Sequence, residues 1–187
     1  MAALGCTKAE AAEQTFGDWT AACTPDGYCV ASTPGSGATG DGGAPLRIGR
    51  LAQGTYWEMS VALASPVAPA EVEAALDGWS VRFAYPAEFA PYGDAGDYFL
   101  LGRNAQALLD RLPHGQSLEL NVSDPGQAGT PTRYSLAGLA QALIWIDGEQ
   151  GRIGSERVTG PPPDGLFRAD VPGAAWMAPA LAAFFGR

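Results

Sequence analysis

Alternation of apolar and polar side chains is the dominant signal in this chain. In WSVRFAY, Trp79, Val81, Phe83 and Tyr85 share one side and Ser80, Arg82 and Ala84 take the other. A period of two is the mark of a half-buried strand. The same reading predicts strands over Phe16 to Cys23, Tyr28 to Ser32, a run beginning at Leu46, Ile48 and Arg50, Tyr98 to Leu101, and Leu118 to Val122. A further strand is expected from Tyr56 to Ala64, with Trp57, Met59, Val61 and Leu63 on one side.

Helical spacing is rarer. Pro69 is placed to start a short helix whose apolar side is Val72, Ala75 and Leu76. Asn104 is the expected cap of a helix carrying Ala105, Leu108, Leu109 and Leu112, ended by Pro113-His114-Gly115. In SLAGLAQALIWIDGEQGRIG, Ser135 is an N-cap, and Leu136, Leu139, Leu143 and Ile146 recur at close to 3.6 residues. Gly148 stands where a left-handed cap would end that helix. Residues 34–45 and 86–98, dense in Gly and Pro, read as connections. Arg152 to Val158 is a final strand candidate, GPPPDG is a linker, and the Ala-rich tail carries Trp176, Leu181, Phe184 and Phe185.

Strands outnumber helices by about three to one and are joined by short turns, which suits a sheet architecture with few helices. The expected fold is α+β and β-rich, an antiparallel sandwich or bent sheet with two short helices packed on it. One domain is expected over 14–160, preceded by a start segment 1–13 and followed by a Pro/Ala-rich appendage 161–187.

Composition narrows the partners. The net charge is −9, a sign that repels phosphate backbones and gives no help on anionic lipid. Nucleic acid is therefore not an expected partner, and no run of 18 apolar residues predicts a transmembrane segment. Gly (25) and Pro (15) are abundant, which favours short elements over long helices.

The three cysteines bear on compartment. Cys23 and Cys29 enclose the turn sequence TPDGY and would meet if their strands pair as a hairpin. A metal pair and two buried thiols are the other readings. A metal is disfavoured because the chain has one histidine, His114, and lacks a second cysteine pair. MAALGCTKAEAAEQ contains Ala9-Glu10-Ala11, an A-x-A-like site that fits the tail of an export signal cut before Ala12. Leu4-Gly5-Cys6 is an imperfect lipoprotein acylation site, so a lipid anchor at Cys6 is a second reading.

Candidate chemistry is sparse. Asp147, Glu149, Gln150 and Arg152 form a polar knot at a helix end. They could bind a polar ligand or do acid–base work, but a helix stop in which Asp147 accepts from turn amides and Arg152 pairs with Asp147 or covers a carbonyl explains them better. Trp57, Phe89, Tyr92 and Tyr98 could line a groove, or serve as core and loop plugs. Asp18-Trp19 could be a surface feature, but Trp19 reads better as core, with Asp18 satisfying nearby backbone or an arginine. No G-x-S-x-G or P-loop occurs, and the single lysine, Lys8, removes Schiff-base chemistry. No catalytic residue, metal or cofactor is expected.

Three stretches carry a resemblance. FGDWTAAC…YC, LLGRNAQALLDRLPHGQSLEL and the run from Ser135 to Arg152 resemble the invasion-associated locus B family and, more closely, a related bacterial envelope family of unknown function. The likeness spans roughly 14–155. It implies a secreted or periplasmic β-rich domain with its first two cysteines bridged. Locus B proteins are linked to host-cell entry and usually carry a second cysteine pair in mid-chain, which PAEFAPYGDAGDY lacks. The reading is a non-enzymatic periplasmic or secreted domain that binds a protein or cell-surface component. A cell-envelope hydrolase using Asp147, Glu149 or Asp97 is one alternative. A lipid or small-ligand carrier walled by Trp79–Tyr85 and Tyr56–Leu63 is the other.

Overall fold

The computed structural model describes residues 11–36, 42–62, 71–92, 97–123 and 131–152. Cys6, the export-signal site up to Glu10, the Arg152–Val158 strand beyond Arg152 and the tail lie outside these residues. The chain order is β1 (Ala12–Phe16), β2 (Trp19–Cys23), β3 (Tyr28–Ser36), β4 (Gly42–Leu51), β5 (Glu58–Ala62), β6 (Glu71–Leu76), β7 (Trp79–Ala84), β8 (Phe89–Tyr92), β9 (Asp97–Leu100), α1 (Gly102–Arg111), a 3-10 turn (Leu112–His114), β10 (Ser117–Ser123), β11 (Thr132–Ser135) and α2 (Leu139–Glu149).

All eleven strands join one antiparallel, nearly closed sheet in the order β7-β6-β10-β11-β3-β4-β5-β9-β8. The β1–β2 hairpin attaches to the first part of β3. This is the β-rich fold with two short helices that the alternation predicts. Its core is continuous and runs from Trp19, Ala21 and Ala31 through Leu46, Ile48, Met59 and Val61 to Phe83, Leu118 and Leu120. α2 packs on β1, β2 and β3, and α1 packs on β7. Burial of these apolar side chains, worth roughly 1.5–3 kcal/mol each for the larger ones, is what holds helix to sheet.

Several local expectations are corrected. Residues 71–76 are strand β6, not a helix. Val72, Ala74 and Leu76 are buried in alternation with Glu71, Glu73 and Ala75. β6 is paired on both sides, with β10 and with β7, and two ladders outweigh the helical spacing that Pro69 suggested. The turn to β7 is Asp77-Gly78, both with positive φ (47° and 87°), the arrangement of a two-residue primed hairpin turn. Phe16 to Cys23 is not one strand. Gly17-Asp18 turns it into the β1–β2 hairpin, in which Phe16 pairs Trp19.

Of the predicted connection 34–45, the described residues 34–36 and 42–45 are strand. β3 and β4 continue through Pro34 and Pro45 because the register shifts between Thr33 and Gly35. A bulge is where a sheet tolerates a proline that cannot donate. Residues 86–98 likewise contain β8 and the start of β9, which pair Phe89 with Leu100 and Tyr92 with Asp97.

The helix caps also move. α1 starts after Leu101, and Asn104 sits inside its first turn. There Asn104 Nδ2 donates to Glu88 Oε1 (2.7 Å) and to the Arg82 carbonyl (3.2 Å), while Glu88 Oε2 accepts from Ala84 N–H (3.1 Å). Helix, turn and edge strand are thereby sewn together. Ser135 ends β11 rather than capping α2; its Oγ accepts from Ala137 N–H (3.2 Å), and Gly138 is the N-cap. Gly148 lies within α2, and the left-handed glycine beyond the helix is Gly151 (φ 66°).

Candidate functional site

Cys23 and Cys29 are a directly opposed pair on β2 and β3, with Cα atoms 4.0 Å apart. They are disulfide-bonded. The strands bring them face to face because Thr24 and Tyr28 close the hairpin below them. Thr24 N–H donates to the Tyr28 carbonyl (2.8 Å), and Tyr28 N–H donates to Thr24 Oγ1 (3.2 Å).

Cys29 in turn pairs with Arg50 of β4. Arg50 is 4% exposed, so its cation needs partners within the protein. It donates to Asp147 Oδ1 of α2 and to Gln150 Oε1 (2.9 Å). Its guanidinium also lies 4.1 Å from the centroid of the Trp57 ring. Gln150 Nε2 donates to the carbonyls of Gly27 (3.1 Å) and Arg50 (3.0 Å). Arg152 donates to the Ala52 carbonyl through Nε (3.1 Å) and Nη2 (2.6 Å).

The structure thus brings Asp147, Gln150, Arg152 and Trp57 together around the disulfide hairpin. It leaves Glu149 exposed beyond them. The polar end of α2 is a clasp: one carboxylate, one amide and one guanidinium tie the helix to the β2–β3 turn and to the end of β4. Arg50, its central cation, was not singled out as a site residue. Its signal was present, since it continues the Leu46 and Ile48 alternation onto a side that is otherwise apolar.

The other aromatic positions separate. Phe89 and Tyr98 are buried at 0% and 6% exposure, with ring centroids 5.8 Å apart. Tyr92 belongs to β8, and its partner is Asp97. Asp97 itself accepts from Arg47 Nη1 (2.8 Å). Trp57 borders a small surface cleft with Tyr56, Glu58, Phe99, Gly102 and Gln106. Burial pushes the Glu58 carboxyl up to about 7. That group too escaped sequence reading, because a glutamate at a strand's first position looks solvated.

Trp19 is fully buried and donates from Nε1 to the Ser135 carbonyl (2.9 Å), as a core residue does. His114 is exposed. Among the described residues, no group of three or more His, Cys, Asp and Glu side chains is placed to hold a metal ion, and no helix is long and apolar enough to cross a membrane.

Comparison with known proteins bears on this arrangement. The profile of a family described as "Protein of unknown function (DUF1176)" matches residues 13–159. The fold is similar to the crystal structure of invasion associated protein b from Bartonella henselae, with a TM-score of 0.54 and 15% identity, covering 75% of this chain and 99% of that one. At that identity the likeness is one of fold. No curated protein matches the chain.

Proposed function

We propose that this chain, which belongs to the DUF1176 family of unknown function, is a non-enzymatic extracytoplasmic domain that recognises a protein or cell-surface component of the envelope. The observation that carries the reading is the Cys23–Cys29 bond. Disulfides persist in oxidising compartments and are rare in the cytosol. The fold shared with invasion associated protein b supports the same direction.

Two of the three carboxylates of the hydrolase reading support recognition over reaction. Asp147 is committed to Arg50 and Asp97 to Arg47. A glycosidase-like pair instead holds two carboxyl groups free across an open cleft.

Saturation binding of the labelled, oxidised domain to cell envelopes of the source organism tests the proposal. The expected result is a saturable isotherm that unlabelled domain competes away; loss after protease treatment of the envelopes identifies the component as a protein. Linear, non-competed uptake would overturn it.

A further inference from the structure

The sheet has free ends at β7, β8 and β1, and the first two are closed off. On β7 the Arg82 carbonyl accepts from Asn104 and the Ala84 N–H donates to Glu88, so a helix and a turn occupy that edge. On β8, Pro91 has no N–H to offer a further strand. β1 has no such protection. Among the described residues its only ladder is with β2, and that register is unbroken. Its sequence, AEQTF, holds no proline or lysine, and Glu13, Gln14 and Thr15 are exposed. An unguarded edge is a template for another strand.

The hairpin fixes which backbone groups that edge presents. Gly17-Asp18 is a two-residue turn, so Phe16 and Trp19 are a hydrogen-bonded pair, and Gln14 and Ala21 are the next. Thr15 and Thr20 form the non-bonded pair between them, where side chains stand closest, and their Oγ1 atoms are 3.4 Å apart. The N–H and C=O of Glu13 and Thr15 therefore point away from β2, to the free side.

We infer that this edge is a homodimer interface, at which β1 of a second copy pairs antiparallel about a two-fold axis through Gln14. Glu13 then lies opposite the partner's Thr15, and the two exchange both backbone hydrogen bonds. Phe16, whose ring lies 6.3 Å from that of Trp145 on α2, stands opposite the small Ala12 of the partner subunit. What favours a second copy is that β1 complements itself in this register. All five of its residues are paired and no like charges are directly opposed. An axis through Glu13 would oppose two carboxylates, and one through Thr15 would leave Ala12 and Glu13 against the partner's turn. Each copy carries a net charge of −9, so salt should strengthen the association. The inference rests on the strand edge alone and does not depend on the envelope-binding reading.

Sedimentation equilibrium of the oxidised chain from about 10 μM to about 1 mM tests this. The expected result is a monomer–dimer equilibrium that tightens several-fold between about 0.1 M and about 1 M NaCl. Thr15→Pro removes an N–H that β2 does not use, so it should keep the fold, as its melting temperature checks, and weaken the dimer at least about tenfold. Gln14→Lys and Gln14→Glu alter an exposed side chain. Each alone should weaken the dimer about threefold by opposing like charges across the axis, and an equimolar mixture should associate more tightly than either. A chain monomeric throughout, a dimer indifferent to all three variants, or a mixture no tighter than its components would overturn the inference. So would slowed amide exchange at Glu13 and Thr15 only when an envelope protein is added, which would give the edge to a foreign strand.

Discussion

Arg50 on β4 and Asp147 on α2, 97 residues apart in the chain, form an ion pair that fixes the end of the last described helix to the disulfide hairpin. The cation is the more buried partner, at 4% side-chain exposure against 17%. Removing the carboxylate strands a desolvated charge. Asp147→Ala is therefore predicted to destabilise by about 3 kcal/mol in urea denaturation. Glu149→Ala, on the exposed side of the same helix, should stay within about 0.5 kcal/mol. Replacing both partners with Arg50→Met and Asp147→Leu should cost less than the two single losses together, because no unpaired charge is left behind.

Cys23 and Cys29 close a short loop, so their bond constrains the unfolded chain only modestly. Reduction is predicted to lower stability by about 2 kcal/mol, on the chain-entropy account. Denaturation curves with and without reductant measure it. Because Cys29 pairs directly with Arg50, the effects of reduction and of Asp147→Ala should be non-additive, which a double-mutant cycle reads.

Gly138 packs against the β1–β2 turn so closely that a Cβ there would stand 1.8 Å from the Phe16 carbonyl oxygen, and its φ is +96°. Across the same contact, Asp18 N–H donates to the Ala137 carbonyl (3.0 Å). Gly138→Ala must shift backbone at both turns and adopt a disfavoured conformation. A loss of more than about 2 kcal/mol is expected by thermal or urea unfolding. Gly151, also left-handed but with open space around its Cβ position, should cost only about 1 kcal/mol as Ala.

Glu58 makes stability depend on pH. Its carboxyl titrates near 7 in the fold against 4.5 ordinarily, with burial as the cause. Between those values the unfolded chain has lost the proton and the folded chain keeps it. Stability therefore falls as pH rises from about 4.5 to about 7 and levels off above, through a span on the order of 3 kcal/mol at most. Glu58→Gln should remove this component of the pH profile.

Much of the sheet was legible from period-two alternation, because strands such as β7 and β10 bury one face and wet the other. The failures have physical causes. In β6, Val72 and Leu76 fit both periods, and the choice was made by partners distant in sequence, β10 and β7; the Asp77-Gly78 turn was the local clue. Pro34 and Pro45 concealed a bulged pair of strands. At the clasp, Asp147, Gln150 and Arg152 were visible as a helix-end cluster, and Arg50 as a charge continuing the Leu46 and Ile48 alternation, but their meeting required the fold. The cleft at Glu58 was invisible for the same reason: its walls come from β5, β9 and α1.

The account depends most on the chain living where thiols are oxidised, and thiol trapping in the intact producing cell tests that directly. Cells quenched with a membrane-permeant alkylating reagent, then reduced and labelled a second time, should show Cys23 and Cys29 taking only the second label, on protein recovered outside the cytoplasm. First-label modification of both cysteines, on protein recovered from the cytoplasm, would contradict it.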